Sequence, residues 1–214
     1  MARYKNGING PVSGKIGNVI ASSWRGVDYF KSVNESKRTG ERSEAQILQQ
    51  CIFGLVSRWL RPIKDLIWLG YQVFRGTKTP MNAAISAVMK DAIVVENGKP
   101  AINFSQVIIS RGELIVSLIL KVLALIDELL HIQWHNALES PFCRPDDRAN
   151  FLFYSERRAE FIIFENGAMR SDKEAKLSLP EGFSGDTLHG YMFYVNAAGD
   201  AVSTSQYMGN IVVA

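Results

Sequence analysis

Leu130-His131-Ile132-Gln133-Trp134 is the stretch on which the reading of this chain turns. Apolar residues alternate with polar ones, so every second side chain faces a core, as in a half-buried strand. The same kind of signal recurs to the end of the sequence. Phe151-Leu152-Phe153-Tyr154, Phe161-Ile162-Ile163-Phe164, Ala175 to Leu179, Leu188 to Val195 and Tyr207 to Val213 follow at short intervals. Turn signals lie between them, such as Glu165-Asn166-Gly167 and Pro180-Glu181-Gly182. Many short strands at regular spacing predict an antiparallel sandwich. Trp134, Phe153, Leu179, Tyr191 or Phe193, and Val195 are its expected core.

Upstream the period changes. Ser43-Glu44-Ala45-Gln46 has the form of a capping box. Ile47, Leu48, Cys51, Ile52, Leu55, Val56, Trp59 and Leu60 then form a helical stripe. Pro62 breaks or restarts it, and Ile63 to Phe74 continue it. Thr79-Pro80 pairs a cap with a first-turn proline. Helices are expected over about 43–75 and 80–94, with Asn97-Gly98-Lys99-Pro100 as the closing turn. Strand signals are read from Phe104 onward.

Residues 1–33 are punctuated by Gly7, Gly10, Gly14, Gly17 and Gly26. Lys15 to Ser23 and Trp24 to Val33 read as strands of an extended arm or β-ribbon, with Val27, Tyr29 and Lys31 on one side and Asp28, Phe30 and Ser32 on the other. A lone ribbon is marginal in water, so it must pack on the rest of the protein or on another molecule. Asn34 to Arg42 reads as a linker. The expected fold class is α+β. Residues 1–103 form the arm and helical region, and 104–214 an antiparallel β-sandwich.

The 214 residues are 47% hydrophobic with a formal net charge of +3, which excludes a disordered chain. Two cysteines exclude a disulfide scaffold and a multi-cysteine zinc cluster. Cys51 and Cys143 read as buried thiols, and geometry alone decides whether they pair. No apolar core follows the basic residues after Met1, so no secretory signal is read. Leu114 to Leu130 is interrupted by Lys121 and falls short of the roughly 18 residues of a spanning helix. It reads as a buried hairpin turning at Asp127-Glu128, and a cytoplasmic location is the default.

Charge is uneven. Residues 1–80 carry 13 Lys and Arg against 5 Asp and Glu, and the remainder 11 against 16. Solvated faces, nucleic-acid binding by the front, and head-to-tail attraction between copies are all consistent with this.

The C-terminal pattern resembles a fibronectin type III or related immunoglobulin-like sandwich. Leu130 to Trp134 is like an early strand with a core tryptophan. Leu177-Ser178-Leu179-Pro180 and Tyr191-Met192-Phe193-Tyr194-Val195-Asn196-Ala197, followed by Gly199 and Ser203, are like its later strands. The whole chain also resembles an uncharacterised domain-of-unknown-function family common in Bacteroidota. Gly7-Ile8-Asn9-Gly10-Pro11-Val12-Ser13-Gly14-Lys15-Ile16-Gly17 and Trp24-Arg25-Gly26-Val27-Asp28-Tyr29 carry that likeness. So do Pro80 to Ala84, Phe183 to His189, and Ser203 to Gly209. The resemblance implies no catalytic residue. Leu114 to Ile126 is unusually apolar for its position.

Catalytic patterns do not emerge. Gly10 to Lys15 lacks the spacing and the hydroxyl of a phosphate loop. His131 and His135 on a strand lie roughly 13 Å apart, too far for one metal. Ser13, Ser22 and Ser203 lie in no nucleophile motif, and Asp127-Glu128 and Asp146-Asp147 read as exposed turns. No cofactor and no metal is expected. Arg3, Tyr4, Lys5, Lys15, Trp24, Arg25, Tyr29 and Lys31 interleave basic and aromatic residues, and are the candidate assembly or binding arm. The expectation is a non-enzymatic structural or interaction protein that self-associates, as in a particle, filament or phage-like assembly. The alternative is a binding module for nucleic acid, through the arm, or for carbohydrate, through the sandwich.

Overall fold

The structure is a computed structural model that describes residues 3–4, 10–24, 26–33, 42–75, 78–126 and 128–213. It is α+β, with antiparallel strand pairing throughout its sheets. The chain forms two compact units, Met1–Ser43 and Glu44–Ala214. The helices therefore group with the later strands, whereas the sequence reading had joined them to the arm.

Among the described residues the first unit is one four-stranded meander. Its strands are β1 (Arg3–Tyr4), β2 (Val12–Ile16), β3 (Val19–Trp24) and β4 (Val27–Ser32), side by side in that order. Lys15 to Ser23, read as one strand, is two strands joined at Gly17-Asn18. Gly17 supplies the positive φ of +55° that this tight turn requires.

The second unit begins with α1 (Glu44–Leu60), directly after Ser43. Pro62 restarts the chain as a short 3-10 turn over Arg61–Ile63, and α2 (Lys64–Gly70) follows. At α3 (Pro80–Asp91) the Thr79 hydroxyl accepts from the Asn82 amide at 3.2 Å, as the cap signal predicts. This helix ends three residues before the expected 94. Ile93 belongs to a hairpin, β5 (Ile93–Glu96) and β6 (Lys99–Ile102), turning on Asn97-Gly98 with φ of +51° and +75°. Phe104–Gln106 is a 3-10 turn, not a strand.

Seven strands complete the unit: β7 (Leu118–Leu125), β8 (Leu129–His135), β9 (Arg148–Ser155), β10 (Glu160–Met169), β11 (Glu174–Ser178), β12 (Thr187–Val195) and β13 (Gln206–Val212). They form two sheets, ordered β11-β8-β7 and β10-β9-β12-β13. Glu165-Asn166-Gly167 is no turn. It is a bulge inside β10, where the register with β9 shifts and Asn166 takes a φ of +52°. The true reversal is Glu156 to Ala159, a charged stretch that carries no glycine or proline.

Two apolar clusters explain the layering. Leu130, Ile132 and Trp134 of β8 and Ala175 and Leu177 of β11 meet Phe151, Phe153, Met192 and Tyr194 of the four-stranded sheet. On that sheet's other side, Leu152, Tyr154, Tyr191, Phe193 and Val195 share a cluster with Val56, Trp59, Leu60, Ile67 and Val88 of the helices. The central strands β9 and β12 are thus covered on both faces, which is why they read as near-continuous apolar runs. All six expected core residues are buried. Tyr191, Phe193 and Val195, however, face the helices and not the second sheet. β7 pairs with β8 as the expected hairpin, but it is an edge strand, and Leu118 and Leu120 are exposed rather than buried. Asp127 of the expected turn lies outside the described residues.

No described helix is long and apolar enough to cross a membrane.

Candidate interaction surface

The ladder of the first unit fixes which of its side chains share a face. Lys15 opposes Ile20, and Ile20 opposes Lys31. Ser22 opposes Tyr29, and Trp24 opposes Val27. Directly opposed residues lie on the same side of a sheet, and alternate residues on a strand share it. Lys15, Ile20, Trp24, Val27, Tyr29 and Lys31 therefore occupy one face. The other face carries Ile16, Val19, Ala21 and Phe30, with Asp28 and Ser32. The alternation expected for Val27 to Ser32 is the one observed.

Of the candidate arm residues, Lys15, Trp24, Tyr29 and Lys31 are brought together on that one face. Arg3 opposes Ser13 at the far edge of the same sheet. Tyr4 opposes Val12 in the backbone ladder. The Tyr4 side chain, Lys5 and Arg25 lie outside the described residues.

This sheet has almost no interior. Ala21 is the only buried side chain among the described residues of its unit. Phe30 is 65% exposed and Trp24 56%. Every residue of β4 is exposed. Apolar side chains stand on both faces, a pattern that a strand buried on one side does not give. The first unit carries eight Lys and Arg against three Asp and Glu, and the second 16 against 18.

Three polar constellations in the second unit escaped sequence reasoning. Arg170 is buried under the Tyr194 ring, its guanidinium carbon 3.6 Å from the ring centre. Its Nε donates to Asp147 Oδ2 at 2.9 Å, and its terminal nitrogens donate to Ser117 Oγ at 3.2 Å and the Ile115 carbonyl at 2.8 Å. Asp147, read as part of an exposed pair, is fully buried. Burial pushes the Tyr194 hydroxyl well above the ordinary phenol range, and its hydrogen bond to Ser117 at 2.9 Å offsets only part of that.

Asp186, also buried, takes Arg158 Nε on Oδ2 at 2.7 Å and meets Arg157 at Oδ1 at 2.9 Å. Arg158 also donates to the Gly182 carbonyl. Burial alone would raise this carboxyl. Hydrogen bonds from Arg158 and Ser155 and the charges of both arginines outweigh it and hold Asp186 below the usual carboxylate range.

The third constellation is a chain of carboxylate, imidazole and phenol. His189 Nε2 lies 2.6 Å from Glu156 Oε1, and Nδ1 lies 2.8 Å from the Tyr207 hydroxyl. The imidazole stacks on Phe104 with ring centres 4.4 Å apart. Such a chain would activate a hydroxyl if it favoured the anion. Here burial, and then the Glu156 charge, raise the Tyr207 hydroxyl, so the phenolate is disfavoured. These contacts link β12, β13 and the β9–β10 turn. No signal short of the tertiary contact marked these residues, because their partners are 18 and 33 positions away.

Among the described residues no three His, Cys, Asp or Glu side chains converge as metal ligands. His131 pairs with Glu174 at 3.0 Å, and His135 ends the same strand. Cys143 is buried as expected, but Cys51 is exposed on α1, and both are free thiols.

The fold and surface define an α+β chain that joins a compact, well-buried unit to an open basic–aromatic sheet. This chain belongs to DUF6266, a family of unknown function whose model matches residues 11–209. No curated protein matches the sequence.

Proposed function

We propose that this protein is a non-enzymatic structural component that associates with further copies of itself, and that its N-terminal sheet makes the contact. One observation carries this reading: the sheet exposes apolar side chains on both faces and buries only Ala21 among its described residues. Fully burying one large apolar side chain contributes about 1.5–3 kcal/mol, so covering Phe30, Trp24 and Val27 favours association by several kcal/mol. The opposite net charges of the two units are compatible with contact between copies. A particle, filament or phage-like assembly is the kind of structure such a component builds.

In this reading β7 to β13 form a fibronectin type III-like sandwich. Support comes from the strand order. The first, second and fifth of the seven strands make one sheet, and the third, fourth, sixth and seventh the other. Trp134 on the second strand packs near Phe151 across the cluster, with ring centres 6.2 Å apart. The helices then cover a sheet face that a two-layer sandwich leaves to solvent.

The test is the solution mass of the full chain and of residues 44–214, by light scattering at low and high salt. Residues 44–214 hold both apolar clusters, so this fragment keeps its core. The full chain should associate and the fragment should not. A full chain that stays monomeric at its highest soluble concentration, or a fragment that associates equally well, refutes the reading.

A second reading has its own observation. Lys15, Lys31, Tyr29 and Trp24 share one face, the combination that tracks a single strand of nucleic acid by charge and stacking. It requires retention on single-stranded DNA or RNA that weakens steeply with salt.

A further inference from the structure

We infer that the contact between copies is edge to edge: β4 pairs antiparallel with β4 of a second copy, on a two-fold axis that passes beside Phe30. This rests on the self-association reading and specifies its mode.

The edges of the first sheet are unequal. β1, at one edge, is two residues long. β4, at the other, is six residues long, carries no proline and no bulge, and has no strand on its outer side among the described residues. Alternate backbone N–H and C=O groups of β4 point away from β3 and form a template for another strand. A two-fold contact of this kind closes and occupies the long edge of both copies at once, so by itself it gives a dimer and a larger assembly needs a further contact.

The sequence of β4 then selects the register. A two-fold axis perpendicular to a sheet keeps each face on its own side, so opposed residues must share a face. Only registers that place a residue opposite its own copy satisfy this. Centring on Tyr29 sets Asp28 against Phe30 and Val27 against Lys31, which puts a charge on an apolar group four times. Centring on Phe30 sets Phe30 against Phe30, Tyr29 against Lys31 twice, and Asp28 against Ser32 twice. Those pairs are an aromatic contact, a cation over an aromatic ring, and a carboxylate accepting from a hydroxyl. The strand is self-complementary in that register alone of the two central ones.

The two arms each carry a net positive charge, with eight Lys and Arg against three Asp and Glu. Their repulsion is screened beyond about 8 Å at physiological ionic strength. Edge pairing therefore tightens as salt rises. Docking of the arm on a neighbour's second unit, which is net negative, loosens instead.

The experiment uses the full chain in a Cys51→Ser background, because Cys51 is exposed. Directly opposed residues have Cα atoms about 4.5–5.5 Å apart, within disulfide reach. Phe30→Cys should therefore give a covalent dimer under mild oxidation. Tyr29→Cys should not, since its two copies lie about 8 Å apart in this register. A mixture of Asp28→Cys and Ser32→Cys chains should cross-link while neither does so alone. Phe30→Glu places like charges opposite each other and should weaken association at least about tenfold. Phe30 is exposed, so this variant should keep its circular dichroism spectrum. If the full chain associates but salt loosens it, or Tyr29→Cys cross-links as readily as Phe30→Cys, the edge pairing is wrong while self-association stands. If the full chain does not associate at all, both readings fall.

Discussion

Replacing Arg170 by methionine should destabilise the second unit by about 3–5 kcal/mol, the range for removing one partner of a buried ion pair. Methionine keeps an unbranched apolar stem, so the loss isolates the guanidinium, including its stacking on the Tyr194 ring. Three hydrogen bonds disappear, to Asp147, Ser117 and the Ile115 carbonyl. Asp147 stays buried with a single amide donor, Arg144 N at 3.0 Å on Oδ2, and no hydrogen-bond partner on Oδ1. The figure of about 3–5 kcal/mol counts the lost bonds and the uncompensated carboxylate together, because hydration of neither group is recovered while the site stays buried. Single domains have about 5–15 kcal/mol in all, so the variant should unfold at much lower denaturant. The assay is urea unfolding followed by tryptophan fluorescence, with the slope checked for constancy. Adding Asp147→Asn to the variant removes the stranded charge and should restore at least about 1 kcal/mol. A loss below about 1 kcal/mol in the single variant, or no recovery in the double, would refute the assignment of Asp147 as a charge held by Arg170.

The ion pairs at Asp186 set an acid limit. Its carboxyl is held below the ordinary value, so its stabilising contribution is complete above the unfolded carboxylate range and is lost as pH falls through the lowered folded value. Urea midpoints measured downward from about pH 5 should fall more steeply for the wild type than for Asp186→Asn, and equal slopes would count against this. Gly70→Ala should cost about 1–3 kcal/mol, because the added carbon would stand 2.6 Å from the Ile109 carbonyl oxygen. Gly98→Ala meets open space and has only its φ of +75° to overcome, so a thermal scan should show the smaller loss. Tyr207→Phe removes the hydroxyl beside His189 Nδ1 and should cost about 1 kcal/mol in the same unfolding assay, with retention of both sheets by circular dichroism. An unchanged midpoint would show that the Glu156, His189 and Tyr207 chain ties nothing together.

Local periodicity, caps and turns were legible because they depend on neighbours a few residues apart. The α1 stripe, the restart at Pro62, the Thr79 cap, the hairpin from β7 to β8 and the two-sided alternation of β4 all follow from spacing. The α+β class and the burial of Trp134 and Phe153 follow as well. The residues of the candidate surface could be named from composition, because basic and aromatic types interleave over a short span.

Tertiary structure alone decided the rest. Asn166-Gly167 builds a bulge and not a turn, since turn residues also build bulges, and the charged stretch Glu156 to Ala159 can turn because Arg157 and Arg158 have Asp186 to meet. Tyr191, Phe193 and Val195 read as core, but nothing in their own alternation said that helices from residues 44–92 would cover them. Asp147 read as part of an exposed turn, and only its meeting with Arg170, 23 positions away, made burial tolerable. That Lys15, Trp24, Tyr29 and Lys31 share a face depended on three strands and their register. The sequence by itself determines which residues recur with a strand's or a helix's period. Which strands become neighbours, and so which side chains meet, is set by the packing of distant segments, because burial and charge pairing act through space and not along the chain.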